Sequence, residues 1–203
     1  MIKHNYPGKF IVLEGLDGSG QSTQTSLLND FLIQNGKEVV LGKEPTKDSE
    51  AGRKIREVLG GKDKMDAKKL QELFAQDRKE HLQNKIIPAL EAGKYVISDR
   101  YFFSSFAFGV SDDLDLEWLI QINNDFIMPD QTFILKASPK ICMERITKRG
   151  TKKELFETEE KLGRVWQTYE KLPHRFESMF VIDGEKTPQE VFSEIRKILI
   201  KIL

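Results

Sequence analysis

Five short apolar runs punctuate the chain: FIVLEG at 10–15, EVVLG at 38–42, YVISD at 95–99, TFILKA at 132–137 and MFVIDG at 179–184. None alternates apolar and polar residues as a strand with one wet face does. Continuous runs of this length suit parallel strands that are covered on both faces. Segments of helical spacing lie between them. Leu27, Leu28, Phe31 and Leu32 make one apolar face, with Gly36 placed where a left-handed residue ends a helix. Ser138-Pro139 sets an N-cap before a proline at the first helical position. Thr187-Pro188-Gln189-Glu190 reads as a capping box, followed by Val191, Phe192, Ile195, Leu199 and Ile202 at helical spacing. Strands alternating with helices predict an α/β three-layer sandwich around a five-stranded parallel sheet. With no internal repeat and no low-complexity linker, residues 1–203 are expected to form a single domain.

Charge narrows the partners. Lys and Arg together number 32, as do Asp and Glu, so the formal net charge is zero. That balance argues against a nucleic acid or an anionic membrane as the main partner, while leaving room for a locally basic pocket. Cys142 is the single cysteine, so no internal disulfide can form, which suits a reducing cytoplasm. MIKHNYPGKF carries no apolar run of signal-peptide length, and no stretch reaches the ~18 apolar residues of a membrane span. A cytoplasmic location is expected. His4, His81 and His174 are scattered without metal-ligand spacing and are expected as surface or packing residues.

The first run leads into EGLDGSGQST at 14–23. A phosphate-binding loop has the form G-x-x-x-x-G-K-[ST], and Gly15, Gly20 and Ser22 keep that spacing. Strand before and amphipathic helix after supply the required context. Glycines 15, 18 and 20 allow backbone N–H groups to turn inward around a phosphate, at the positive end of the following helix. Gly15, Gly18, Ser19, Gly20, Gln21, Ser22 and Thr23 are therefore the candidate phosphate-binding residues, and the Ser22 hydroxyl is placed for Mg²⁺. The lysine is replaced by Gln21. An amide can still donate a hydrogen bond to a phosphate but adds no charge. A hydrogen bond to a charged group is worth ~1.5–3 kcal/mol, and loss of a transition-state donor typically costs ~10²–10³ in rate. A phosphotransferase built this way needs cations from elsewhere.

YVISD ends in Asp99, placed like a Walker-B carboxylate that manages Mg²⁺, and Arg100 follows at the carboxyl edge of the sheet, where α/β folds bind ligands. A surface Asp–Arg turn is the structural alternative. Between about residues 66 and 92 an apolar helical face runs Leu70, Leu73, Phe74, Leu82, Ile86, Leu90, and is interrupted by Asp77-Arg78. Phe74 and Arg78 are four apart and share a face. They make a ring and a guanidinium suited to a stacked base, or equally a core phenylalanine beside a snorkelling arginine. Trp118 and Trp166 fit helix faces and are expected to pack in the core.

Together these segments resemble the thymidylate kinase family, P-loop enzymes that transfer the γ-phosphate of ATP to dTMP. The likeness runs through nearly the whole chain in order: Gly15 to Thr23, Lys43-Glu44-Pro45, Leu73-Phe74 with Arg78, then Asp99-Arg100-Tyr101 with Ser104, Ser105, Ala107 and Phe108. The resemblance implies that Asp17 binds the 3′-hydroxyl, Phe74 stacks on thymine, and Arg78 and Ser105 read its edge. It implies that Arg100 contacts the transferring phosphates, that Phe108 closes the space beside C2′, and that Asp99 manages Mg²⁺ and the acceptor phosphate. Lys43 and Pro45 belong to the dTMP set, with Pro45 following a cis peptide bond. A homodimer is implied as well. Arg145 and the IDGEKT loop at 182–187 are candidates for the adenine side.

Three positions depart from the family pattern. Gln21 replaces the lysine; Lys43 replaces an arginine, trading a fork for a point charge; and Leu155 stands where many bacterial members carry a lid arginine. Since Gly18-Ser19 adds no cation to the loop, the resemblance points to a lid at about 145–157 whose Arg149, Lys152 and Lys153 supply the missing charge on closing. Arg149 and Lys153 accordingly join Arg100, Asp99 and Gln21 as the catalytic set. Two rivals stay open: a nucleotide-binding protein that has lost the reaction, and a deoxynucleoside kinase, which needs a carboxylate base such as Glu44.

Overall fold

The computed structural model describes residues 1–150 and 158–200; Lys152, Lys153, Leu155 and Ile202, with the Arg149 side chain, lie outside the described residues. The five apolar runs form strands β1 (Lys9–Gly15), β2 (Val39–Lys43), β3 (Tyr95–Asp99), β4 (Gln131–Lys136) and β5 (Met179–Asp183). Every pairing is parallel, in the order β2-β3-β1-β4-β5. The expected α/β sandwich is thus observed, with strand ends shifted by at most a residue or so.

Alternate side chains of β1 explain the lack of amphipathic pattern. Phe10 and Val12 enter one apolar cluster and Ile11 and Leu13 another, all without solvent exposure. The second face is covered by α1 (Gln21–Gln34) and α9 (Pro188–Leu199) through Leu28, Leu32, Val191, Ile195 and Leu199. The first is covered by α2 (Glu50–Leu59), α3 (Ala67–His81), α4 (Ile87–Glu91), α5 (Phe102–Ser111), α6 (Leu116–Ile122), α7 (Pro139–Arg149) and α8 (Glu159–Tyr169). Trp118 and Trp166 pack half-buried against that larger cluster, as their spacing predicts.

Local signals placed the helix ends. Gly36 is left-handed at φ 72°, Ser138 precedes α7 with Pro139 at its first turn, and Thr187 with Glu190 closes the capping box of α9. The periodic segment 66–92 is less uniform than its pattern: α3 gives way to a π-helical turn at Leu82–Ile86 before α4. Pro88, at the start of α4, has no N–H to continue an α-helical ladder, and the wider turn precedes it. The apolar face survives the change, since Leu70, Leu82, Ile86 and Leu90 are all buried.

Register brings the chemistry together. Asp99 ends β3 between Leu13 of β1 and Lys43 of β2. The glycine loop leaves β1, Glu44-Pro45 leaves β2, and Arg100 leaves β3, all at the carboxyl edge of the sheet.

Candidate functional site

Two clefts open at this edge. The first is walled by Pro45, Phe74, Arg78, Ser105 and Phe108; the second by the glycine loop from Gly18 to Gln24, with Asp99, Arg145 and Gly184. They meet at Asp17, Lys43 and Arg100, which line both.

The glycine loop is held by close approach as much as by turn geometry. Gly18 has φ 85°, and a Cβ there would fall 2.6 Å from the Cys142 carbonyl oxygen of α7. Any larger residue would push α7 off the loop. Arg145, also on α7, donates to the Gly184 carbonyl at 2.9 Å and reaches the Gly18 and Ser19 carbonyls at 3.4 Å. It ties the loop to the segment after β5. Cys142 itself is buried, and burial pushes its thiol up to about 12, so it stays protonated.

Gln21 is turned into the loop. Its Nε2 donates to the Gly15 carbonyl at 3.0 Å, and its Oε1 accepts from the Ser19 hydroxyl at 3.2 Å. The amide therefore braces the loop from within, and Gly15 stands behind the cleft wall, its carbonyl also receiving Arg100 at 3.1 Å. Ser22 and Thr23 are exposed. The Ser22 hydroxyl donates to Asp99 Oδ2 at 2.9 Å, and Lys43 Nζ donates to the same oxygen at 2.7 Å. Two hard oxygen donors side by side suit a small oxygen-loving cation, which would have to displace the Lys43 ammonium from Asp99. Among the described residues no cluster of three or more His, Cys, Asp or Glu could hold a metal alone.

Arg100 is fixed on every side. It adopts a left-handed backbone, φ 75°, which for a non-glycine residue is costly and is often kept at functional sites. Its guanidinium donates to Gly15, to Ser104 Oγ at 3.0 Å and to Asp17 Oδ1 at 2.8 Å, and lies 5.3 Å from the Phe108 ring centroid. Burial works against its charge, but Asp17, Tyr169, Asp99 and Glu14 outweigh it and hold Arg100 above the ordinary arginine range.

Beneath it sits Glu14, fully buried and unremarked in the sequence. Its oxygens accept from the Tyr101 amide at 2.9 Å, the Ser104 hydroxyl at 2.6 Å and the Tyr169 hydroxyl at 2.8 Å. Burial pushes its carboxyl up to about 7, against the pull of Arg100 and these donors. Its place in a short apolar run hid it: EG before a glycine loop gives no sign that the side chain turns inward.

In the first cleft, Arg78 is buried rather than snorkelling. It donates to Glu44 Oε2 at 2.8 Å, Asn123 Oδ1 at 2.5 Å and Ser105 Oγ at 3.2 Å. His81 Nδ1 lies 3.3 Å from the other Glu44 oxygen. Both oxygens of Glu44 are thus engaged, and His81 is a working part of the network rather than generic packing. Asp77, the other polar residue on the interrupted face, accepts from Thr46 N, Thr46 Oγ1 and Ser49 Oγ, pinning the turn after the cis Glu44-Pro45 bond.

The comparisons with known proteins agree with this geometry. A family model described as thymidylate kinase matches residues 13–195. The chain belongs to the thymidylate kinase family. It is 44% identical over 194 residues to a probable thymidylate kinase of Thermococcus kodakarensis, covering 92% of this chain and 94% of that protein. It is 42% identical over 193 residues to one from Pyrococcus horikoshii, covering 93% and 94%. A thymidylate kinase of Leptospira borgpetersenii is 37% identical over 194 residues, covering 95% and 93%. All eight residues that the family likeness assigns to dTMP line the first cleft: Asp17, Lys43, Pro45, Phe74, Arg78, Arg100, Ser105 and Phe108. The expected loop residues from Gly18 to Thr23 line the second, together with Asp99 and Arg145.

Proposed function

We propose that the chain phosphorylates dTMP to dTDP with the γ-phosphate of ATP, acting as a single domain. The observation that carries this reading is the sharing of Lys43 and Arg100 between two clefts, one suited to a stacked base and one to a phosphate chain. Phosphates of an acceptor in the first and a donor in the second would face each other across those cations.

The acceptor is already an anion, so the reaction needs positioning and positive charge rather than a strong base. Phe74 offers a ring face to the pyrimidine, Arg78 and Ser105 its edge, Asp17 the 3′-hydroxyl, and Phe108 the surface that disfavours a 2′-hydroxyl. Backbone N–H groups of the glycine loop take the ATP phosphates, with Gln21 bracing their arrangement. Arg100 and Lys43 hold the two phosphate groups together. Mg²⁺ would be held by Ser22 and Asp99 and would neutralise charge developing on the donor phosphates. Arg149, Lys152 and Lys153 are proposed to bring the charge that Gln21 lacks.

The engagement of Glu44 by Arg78 and His81 weighs against the deoxynucleoside kinase alternative, which requires a free carboxylate to activate a neutral hydroxyl. The test is ADP release with ATP, Mg²⁺ and either dTMP or thymidine. Turnover on dTMP and none on thymidine is expected; thymidine turnover, or background on both, sinks the proposal. A cytoplasmic homodimer is proposed with it, to be checked by light scattering of the purified protein. No helix among the described residues is long and apolar enough to cross a membrane.

A further inference from the structure

Among the described residues, two cations line both clefts, Arg100 and Lys43, and they are held very differently. Arg100 is tied to Gly15, Ser104 and Asp17. Lys43 ends β2 with its side chain 53% exposed, and its ammonium has Asp99 and Ser22 as partners. Parallel pairing sets Lys43 against Asp99 across β2 and β3, so the two side chains leave the sheet on one face. Nζ lies 2.7 Å from Asp99 Oδ2 and 3.5 Å from Ser22 Oγ, the two oxygens proposed above for Mg²⁺. The ammonium fills the place that a divalent cation would take.

That contact has a reason and a weakness. Asp99 is buried, its side chain 6% exposed, and a buried carboxylate left without a counter-charge is costly. Lys43 supplies the charge. Two cations at hydrogen-bond range of one oxygen repel strongly, so the ammonium and a metal ion exclude each other there. Lysine is suited to leaving. Its charge sits at the tip of a flexible four-carbon stem, whereas the arginine of the family pattern is a planar fork. Because Lys43 also lines the first cleft, the next anion within its reach is the phosphate of an acceptor bound there.

Building on the dTMP reading above, we propose that Lys43 stands in for a divalent cation on Asp99 and passes to the acceptor phosphate when the metal binds. The exchange couples the two ligands. A metal ion on Asp99 frees the ammonium for the acceptor, and an acceptor that draws the ammonium away uncovers Asp99 for the metal. Linkage requires the two effects to be equal. Arg100, fixed by its three partners, takes no part in the exchange.

The test measures binding without ATP, in the wild type and in Lys43→Gln, which removes the charge from an exposed side chain. Mn²⁺ alone is the metal probe, followed by electron paramagnetic resonance on the nucleotide-free protein. Affinity for dTMP is measured by titration calorimetry with and without saturating Mg²⁺. In the wild type, Mg²⁺ is expected to tighten dTMP binding about tenfold. In Lys43→Gln, Mn²⁺ is expected to bind about tenfold more tightly than in the wild type, while Mg²⁺ changes dTMP affinity by less than about twofold. A lysine that only contacts the acceptor phosphate leaves Mn²⁺ affinity unchanged. Mn²⁺ binding to Lys43→Gln that is undetectable, or no tighter than to the wild type, would overturn the assignment. So would a Mg²⁺ effect on dTMP that is missing from the wild type or that survives in the variant. Failure of dTMP to bind either protein would instead sink the dTMP reading, and the Mn²⁺ comparison would still decide whether Lys43 and the metal compete.

Discussion

The two clefts differ in how far their polar groups are withdrawn from water. In the first, the polar groups are buried and already paired: Arg78 with Glu44, Asn123 and Ser105, and His81 with Glu44. In the second, buried and exposed polar groups are mixed: Ser19, Gln21 and Asp99 are buried, Ser22, Thr23 and Lys43 face solvent, and the loop's own backbone forms much of the wall. A base differs from its analogues by single donors and acceptors, and only a rigid, desolvated site makes one of those count. A phosphate chain is recognised by charge, which tolerates water and movement. The contrast predicts that substitutions in the first cleft act on stability and specificity, and those in the second on turnover.

Arg78→Met tests the first half most harshly. Removing one partner of a buried ion pair leaves Glu44 with His81 alone and is expected to cost about 3–5 kcal/mol in urea unfolding. The double variant with Glu44→Gln should recover part of that loss. If the single variant costs less than about 1 kcal/mol, the network is not the scaffold it is taken to be. Arg100, at the junction, should behave as a catalytic residue: Arg100→Met is expected to lower kcat by about 10²–10³, comparable to removing one preorganised transition-state donor. A tenfold effect or less would assign the transferring phosphates to other cations.

Glu14 sets a pH dependence beneath the junction. Its carboxyl is held up to about 7 by burial, above the ordinary carboxylate value of 4.5. The folded state therefore keeps a proton that the unfolded chain has released, and its stabilising contribution is present below pH 4.5 and lost as pH rises through 7. Thermal melts of Glu14→Gln and wild type between pH 4.5 and 8 should show the wild type losing stability with rising pH relative to the variant. Parallel curves would mean that Glu14 does not titrate in that window. On the phosphate side, Lys43→Ala should leave stability within about 1 kcal/mol, because its pair with Asp99 is half exposed, while turnover falls. A large stability loss there would erase the distinction between the clefts.

These residues also mark where sequence stops speaking. The sheet was legible because strands buried on two faces must be apolar throughout, and the glycine loop because few residues survive its backbone angles. The eight dTMP candidates and the loop residues from Gly18 to Thr23 were reachable through motif order; Arg56, Leu59 and Gly60, which also line the first cleft, were not. Nor was Glu14: as the last side chain of an apolar run before a glycine loop it could as well meet water, and only the fold encloses it. Arg78 read equally as a snorkelling arginine, since helix spacing gives the face but not the partners, and Glu44 and Asn123 lie 34 and 45 residues away.

Gln21→Lys should have the smallest effect, and it bears on how the phosphate cleft works. In place of a cation reaching outward, Gln21 is a brace: it joins Gly15 to Ser19 through both ends of its amide. A lysine could reproduce the bond to the Gly15 carbonyl but could not accept from Ser19. Added charge and a loosened loop then act against each other, and kcat for dTMP is expected to change by less than tenfold in either direction. Neutralising Lys152 and Lys153 together should lower kcat further than that, if the charge comes from that segment. A gain of a hundredfold or more from Gln21→Lys would show instead that the cleft lacks a cation which nothing else provides, and that its exposed charges do not make up for the residue missing from the loop.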